Sequence, residues 1–491
     1  MSERRPVLAV IGAGPAGLAA TLAAAARGVR VTLIDSGAQP GGQFYRQPAP
    51  GLGARRPQAL HHQWRTWERL RTGLDTHLAD GRVTYLSDHH VWWVERESAA
   101  AGASEPVRRG EPVGGDPAPP GWTVHALLGP EQRESVAIRA DGVLLATGAY
   151  EKVLPFPGWT LPGVVTAGGA QALLKGGLTL PGRTAVVAGT GPLLLPVTTG
   201  LAAAGARVVA LVESADPRDF VRRARPLAGA PDKLAEGAGY AARLLRHRIS
   251  VKVRHTVLEA HGAERLESVT VAALGPDGRP RPGTALRLPC DTLAVGHGLL
   301  PHTDLADGLG CRLDGPAVRV DDEQRTDVPG VWAAGESTGI GGAALSLAEG
   351  HLAGRSAAAR LRGTVPDPAR WTPAARTRAR LRAFFEGLAG AYVPPAHWAE
   401  LVTDETVVCR CEEVTAGAVR EAVGSLGAGD LRTVKLLTRA GMGWCQGRMC
   451  EPGVAGVAGC AATPARRLPA RPVPLGVLAA PTDDPRRPGD G

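Results

Sequence analysis

The chain has 491 residues, 44% hydrophobic and 21% charged, so cores for roughly two to four domains can be buried. The formal net charge is +9, but the arginines are scattered and no basic stripe interleaves with aromatics, so nucleic acid is not an expected partner. None of the seven cysteines falls in the first 289 residues, which excludes a disulfide framework, and no apolar run is long enough to span a membrane, so cytoplasm is the expected compartment.

In chain order, Val7–Ile11 is an apolar run of strand length. Gly14–Ala26 is an Ala-rich helix, and Val29–Ile34 a β-branched strand closing on Asp35. The first run breaks at once into glycine, so it reads as a strand entering a turn and not as a leader. Val83–Tyr85, Val91–Glu95 and Trp122–Leu127 read as strands of a β-meander, with 98–121 a long flexible loop inside it. Val143–Ala146 is a short buried strand. From Gly182 the opening pattern repeats: strand Thr184–Ala188, a glycine turn, helix Leu193–Ala204, then strand Val208–Val212 ending in Glu213. Strands are expected at 251–257, 268–274 and 284–295, and a short buried one at Val331–Ala334. Residues 365–400 read as a connector with a helix at Thr377–Gly387. Residues 407–460 form a compact cysteine-bearing unit with helices Thr415–Leu426 and Asp430–Ala440, the second N-capped by Asp430 and stopped by Gly441. Beyond Ala461 the Pro/Arg/Ala-rich composition predicts a disordered tail.

Gly12-Ala13-Gly14-Pro15-Ala16-Gly17 lies where a strand becomes a helix. Gly12 permits the tight turn, Gly14 lets backbone approach a pyrophosphate, and Gly17 lets helix pack on strand. The helix N-terminus offers N–H groups and the positive end of a dipole, and Asp35 is placed to bind ribose hydroxyls. Gly41-Gly42-Gln43, then Leu145-Ala146-Thr147-Gly148, then Gly330 to Gly335-Glu336 follow in that order. Together these segments resemble the FAD-binding half of the two-dinucleotide-binding-domain flavoproteins. The resemblance implies FAD contacts from Gly12, Gly14, Pro15, Ala16, Gly17, Asp35, Gly42, Gln43, Thr147, Gly148, Gly335 and Glu336. Glu336 stands at the position on the flavin ribityl and phosphate side, where the family more often has Asp.

Gly189-Thr190-Gly191-Pro192-Leu193-Leu194 has the first two glycines of a second nucleotide turn, but Leu194 replaces the third. Glu213 holds the ribose-carboxylate position. A carboxylate there repels a 2′-phosphate and favours NAD or a plain adenine nucleotide over NADP. The alternative is a decayed site kept for its fold. No cysteine pair accompanies either turn, so dithiol–disulfide chemistry is not expected, and Cys290 and Cys311 read as buried core residues.

Cys409, Cys411, Cys445 and Cys450 have the spacing C-x-C, 33 residues, C-x-x-x-x-C. Four thiolates can hold one [2Fe–2S] unit, two on each iron. Gly441, Gly443 and Gly447 let backbone N–H groups approach the sulfurs, and Arg410, Lys435, Arg439 and Arg448 can offset the thiolate charge. Structural zinc is the alternative, although zinc ribbons favour C-x-x-C knuckles. Cys460 falls outside the set. No His/Glu/Asp constellation presents itself as an acid–base pair; His297, between glycines on a strand returning toward the expected flavin, is the least ordinary histidine.

Val408–Glu413 (VCRCEE) and Arg439–Cys450 (RAGMGWCQGRMC), behind GGQFYR at Gly41–Arg46, resemble the α subunit of bacterial heteromeric amino-acid dehydrogenases. These are the opine oxidase, proline or hydroxyproline dehydrogenase and cyanide synthase type; sarcosine oxidase, through its α subunit, is a more distant relative. The resemblance implies an α/β fold with two Rossmann-like dinucleotide-binding domains, the FAD domain being discontinuous and the second domain inserted, plus a small helical [2Fe–2S] domain like bacterioferritin-associated ferredoxin. The expected parts are 1–157 and 289–362 for the FAD domain, 158–288 for the second, 363–405 for the connector, 406–460 for the cluster domain and 461–491 for the tail. It also implies a partner β subunit with its own FAD that oxidises an amino acid or opine. NAD or ATP at the second site and FMN at a subunit interface are left open. The function expected is an electron-transfer subunit; the alternatives are a self-contained NAD(P)H-dependent oxidoreductase and a non-enzymatic scaffold with vestigial sites.

Overall fold

A computed structural model describes residues 5–97, 121–223, 227–366, 371–462 and 469–479. In chain order the elements that position the sites are β1 (Val7–Ile11), α1 (Pro15–Ala25), β2 (Arg30–Ile34), α2 (Trp64–Ala79), β3 (Val83–Leu86), β4 (His89–Arg96), β5 (Trp122–Leu128), β6 (Ser135–Ala140), β7 (Gly142–Leu145) and β8 (Ala149–Glu151). Next come β9 (Val164–Thr166), α3 (Ala167–Gly177), β10 (Thr184–Gly189), α4 (Leu194–Ala203), β11 (Arg207–Glu213), β12 (Ser250–Val253), β13 (His255–His261), β14 (Ser268–Ala273), β15 (Leu286–Pro289), β16 (Thr292–Gly296) and β17 (Leu299–Pro301). The last are β18 (Val331–Ala333), α5 (Gly342–Leu361), α6 (Thr372–Ala391), β19 (Val407–Cys409), β20 (Val414–Thr415), α7 (Ala416–Gly424), α8 (Leu431–Thr438) and α9 (Glu451–Ala458).

Two parallel sheets carry the nucleotide turns. The first runs β18-β7-β1-β2-β3, the second β12-β11-β10-β16-β9. Side chains alternate across a strand, and each sheet uses both faces. Leu8 and Val10 enter a core with α1, α2 and α5, while Ala9 and Ile11 face the antiparallel meander β4-β5-β6. The second sheet repeats this layering: Ala185 and Val187 pack on α3 and α4, and Val186 and Ala188 on the antiparallel β13-β14-β15. Cys290 and Cys311 are both buried in these cores, as expected. The chain passes between the halves through one antiparallel pair, β8 with β17.

Several expectations need correction. The strand at Val83 joins the parallel sheet beside β2; the meander takes its third strand from Ser135–Ala140 instead. The loop expected at 98–121 lies outside the described residues except at its end. The run 251–257 breaks at Arg254, which has φ 53°, so β12 stays in the parallel sheet and β13 turns into the antiparallel one. The run 284–295 likewise splits between two sheets. The connector helix is longer than expected, Thr372–Ala391. The helix after Asp430 is capped as predicted, with Asp430 accepting from Thr433 N at 3.0 Å, but it ends on Arg439 in the left-handed region and not on Gly441. The disordered tail does not hold for 469–479: Ala470 is buried against the meander, and its N–H donates to Trp92 O at 3.0 Å.

The 20-residue helix α5 was not anticipated. It has little amphipathic pattern because it is buried nearly all round. Its contact with α1 is backbone against backbone. A Cβ at Gly350 would fall 2.0 Å from Ala16 O, and one at Gly354 would fall 2.2 Å from Ala20 O.

Candidate cofactor sites

Register sets the first site. Ile11 pairs with both Ile34 and Leu145, so Gly12, Asp35 and Ala146–Gly148 emerge together at the carboxyl edge of the sheet, where open α/β sheets bind ligands. Gly12 has φ +107°, and a Cβ there would lie 2.3 Å from Ala146 O. A Cβ at Gly17 would lie 1.8 Å from Gly12 O, so this glycine is what lets α1 sit on the turn. Gly14 is different. A Cβ there would meet only Gly42 Cα, at 3.9 Å, so the space in front of its backbone is open. Pro15 opens α1, whose first turn has no side-chain cap and no acid, leaving its N–H groups for an anion. The Asp35 carboxylate accepts from Ala13 N and from Gly37 N at 2.6 Å. Burial pushes its pKa up against those two bonds.

The other predicted residues of this site converge on the same edge. The Gly42 backbone packs against Gly14, where a Cβ on Gly42 would lie 2.8 Å from Gly14 Cα. Gln43 Oε1 accepts from Arg46 Nε at 3.2 Å. Thr147 Oγ1 donates to His302 O at 2.6 Å, and Gly148 O accepts from His302 N at 2.9 Å. Gly335 lies against Ala16, where an added Cβ would be 2.7 Å from the Ala16 Cβ. Glu336 turns to the start of α5, its Oε1 accepting from Gly342 N at 3.3 Å. An extended, glycine-lined cradle with a free helix N-terminus at one end fits a dinucleotide.

Sequence reasoning missed two residues here. Glu349 is 1% exposed; its carboxylate accepts from Gly335 N and Thr338 Oγ1, both at 3.0 Å, and pairs with Arg382 of α6. It therefore fixes the Gly335 turn. Lys175 of α3 donates to Phe44 O at 3.1 Å under the Gly41–Arg46 loop, and burial, with Arg46 nearby, pushes its ammonium down to about 8.

The second turn repeats the first. Gly189 pairs with both Glu213 and Gly296, which brings turn, carboxylate and β16 to one edge. A Cβ on Gly189 would lie 1.8 Å from Gly296 O, and Gly191 faces open space. Glu213 accepts from Gly191 N at 3.1 Å and Ala215 N at 2.9 Å, and burial pushes it up to about 7. His297 adjoins this turn: Nδ1 lies 3.2 Å from Thr190 Oγ1, and burial, then Lys152, pushes it down to about 4.

The four cysteines come together as a run, Cys411 against Cys445, Cys445 against Cys450, and Cys450 against Cys409. The hydrogen bond from the Cys450 thiol holds Cys445 down to about 5 and drives Cys450 up. Among the described residues no three His, Cys, Asp or Glu side chains surround one ion-sized point. A run of four thiols can supply two thiolates to each iron of a two-iron centre. Gly441 N donates toward Cys409 Sγ at 3.5 Å, and Gly443 packs on Cys411, where an added Cβ would fall 2.2 Å from Cys411 Cβ. Cys460 lies off the run, near Gly429 O. Three of the four nearby cations are engaged with protein: Arg410 covers the Trp159 ring at 5.6 Å, Arg439 pairs with Glu412 at 2.9 Å, and Arg448 with Asp304 at 3.0 Å.

Two nucleotide turns on two parallel sheets and a four-thiol domain define the class. The chain belongs to the family of pyridine nucleotide-disulphide oxidoreductases, which matches residues 6–357, and residues 407–457 match the BFD-like [2Fe-2S] binding domain. It is an FAD-dependent oxidoreductase of the flavoprotein and iron–sulfur kind. Within that class it is 34% identical over 455 residues to hydrogen cyanide synthase subunit HcnB of Pseudomonas aeruginosa, covering 91% of this chain and 90% of that one. It is 32% identical over 455 residues to an opine oxidase subunit of Agrobacterium tumefaciens, covering 90% and 83%. Among solved structures, L-proline dehydrogenase from P. horikoshii shares the fold, with a TM-score of 0.64 and 21% identity over 97% of this chain and 80% of that one. No helix among the described residues is long and apolar enough to cross a membrane.

Proposed function

We propose that this chain is the electron-transfer subunit of a heteromeric amino-acid or opine oxidoreductase, working with a separate flavin-containing β subunit that attacks the substrate. The observation that carries this reading is the four-thiol run of a BFD-like domain seated on the same chain as a dinucleotide cradle, in a sequence whose relatives are named as subunits. When bound, FAD accepts electrons in pairs and a [2Fe–2S] cluster passes them on singly. The chain's own residues bind and orient. Gly12, Gly14 and the α1 N-terminus cradle the pyrophosphate, and Asp35 faces the ribose. Gly42, Gln43, Thr147, Gly148, Gly335 and Glu336 line the remainder. Cys409, Cys411, Cys445 and Cys450 are the cluster ligands. Gly189, Gly191 and Glu213 form an adenine-nucleotide site for NAD or ATP, and FMN at the subunit interface belongs to the same proposal.

Co-expression with a neighbouring flavoprotein, followed by a screen of proline, hydroxyproline and opines, tests the assignment. Turnover is expected from the pair and not from this chain alone. Bleaching of the isolated chain by NADH within seconds would instead establish a self-contained NAD(P)H oxidoreductase. The cluster is tested by low-temperature EPR after anaerobic reduction. Cys409→Ser or Cys450→Ser is expected to abolish the rhombic signal while flavin content holds, and Cys460→Ser to leave the signal intact.

A further inference from the structure

A series of polar contacts runs from the cysteine loop to the Thr147–Gly148 turn at the edge of the first nucleotide site. Arg448 stands between Cys445 and Cys450, its side chain 14% exposed. Its Nη1 donates to Cys445 O at 3.3 Å and its Nε to Asp304 Oδ2 at 3.0 Å. Asp304, 9% exposed, also lies 3.1 Å from His302 Nε2 through the same oxygen. His302 is tied by both of its backbone groups to Thr147 and Gly148, and the Tyr150 ring meets its imidazole edge-on at 5.9 Å. Arg448 also donates to Ala470 O, so the late segment 469–472 is pinned at the same junction.

Attachment alone does not require these contacts. The cysteine domain is already held on the second half by Trp159 Nε1 donating to Val407 O at 2.6 Å, and the connector just before it by the Arg279–Glu400 pair at 2.7 Å. A buried ion pair is also a poor source of net stability, because desolvation offsets the attraction. What it supplies is direction: a charged fork held on three acceptors fixes both distance and angle.

We propose that Asp304 and Arg448 are positioning residues that set the four-cysteine loop relative to the Thr147–Gly148 turn and report occupation of the first nucleotide site to that loop. The reporting role rests on the FAD reading above. Coupling of this kind is reciprocal, so filling either site tightens the other.

Hydrogen exchange on the purified full chain tests both roles. Asp304→Ala is expected to speed exchange at 443–450 and at 147–150 together, by about tenfold or more, and to leave β10 and β11 unchanged. Trp159→Phe, which removes the anchor on Val407, is expected to leave 147–150 untouched. Faster exchange on one side of the junction only overturns the positioning role. Arg448→Lys keeps the charge but not the fork; it must reproduce the pattern in weaker form, and it serves if the alanine variant folds poorly. FAD added back to stripped wild-type chain is expected to slow exchange at 12–17 and at 443–450, and in Asp304→Ala at 12–17 alone. Protection of wild type at 12–17 without any at 443–450 overturns the coupling. No protection at 12–17 overturns the FAD assignment instead, and the first comparison still decides the positioning role.

Discussion

At Gly12–Gly17 the helix leaves the strand over a glycine whose missing Cβ would fall 1.8 Å from the Gly12 carbonyl; at Gly189–Leu194 the same place holds Leu194, 1% exposed in the core. The scaffolds are otherwise alike, with a glycine of positive φ closing the strand, an open second glycine, and a carboxylate accepting from the turn. The difference moves the helix. α1 begins at Pro15, three residues after Gly12, whereas α4 begins at Leu194, five after Gly189. Residues 192–193 fill the interval with a tighter turn, Leu194 N donating to Gly191 O and Leu195 N to Pro192 O, both at 3.2 Å. The first turn thus keeps a glycine where helix meets strand, and the second has exchanged that close approach for core packing.

Substitutions at the paired positions sharpen this contrast. Gly17→Leu, which copies the second site into the first, is expected to leave no folded protein, because the side chain meets the backbone of the Gly12 turn; soluble yield and a circular-dichroism melt report it. Leu194→Ala should cost about 2–5 kcal/mol by opening a cavity, measured by denaturant unfolding; a loss below about 1 kcal/mol would show that Leu194 does not pack as described. Gly14→Ala separates binding from folding. Its φ of −74° suits alanine and the added carbon has room, so the stripped chain should melt within about 0.5 kcal/mol of wild type. FAD affinity should nevertheless fall on the order of tenfold or more, as the methyl group stands where the pyrophosphate approaches.

The smallest effect concerns pH. Glu213 is raised from 4.5 to about 7, so the folded chain holds this proton more tightly than the unfolded one. Its contribution to stability is full below pH 4.5 and is lost as pH rises through 7. Glu213→Gln cannot titrate, and its stability should gain on wild type across that window by no more than about 1.4 kcal/mol per pH unit. A constant difference from pH 5 to 8 would argue that Glu213 titrates normally.

Local pattern made the βαβ starts readable: an apolar strand, a glycine turn and an Ala-rich helix all lie within about thirty residues, and the same is true of the Asp430 cap. Non-local choices were not readable. Val83–Leu86 and His89–Arg96 are both plausible strands, and only pairing with β2 or β5 assigns them to different sheets. α5 escaped notice because small residues dominate it and its interior polar side chains, Glu349, His351 and Arg355, are buried or partly buried, so no exposed polar face marks a period. The glycine motifs and the four cysteines announce themselves by spacing. Glu349 and Asp304 do not, since their partners Arg382 and Arg448 stand 33 and 144 residues away.

The insertion of one half inside the other has a consequence for the nascent chain. β7 at 142–145 must pair with β18 at 331–333, and α1 must receive α5 at 342–361, yet the whole second half is translated between them. At bacterial synthesis rates that leaves the opening sheet unfinished for on the order of ten to forty seconds. Meanwhile the inserted half, whose own strands are all in hand by Gly296, can close first. The inserted segment can therefore fold ahead of the sheet that brackets it, and the α1 face that awaits Gly350 and Gly354 is the surface a ribosome-associated chaperone has most reason to cover.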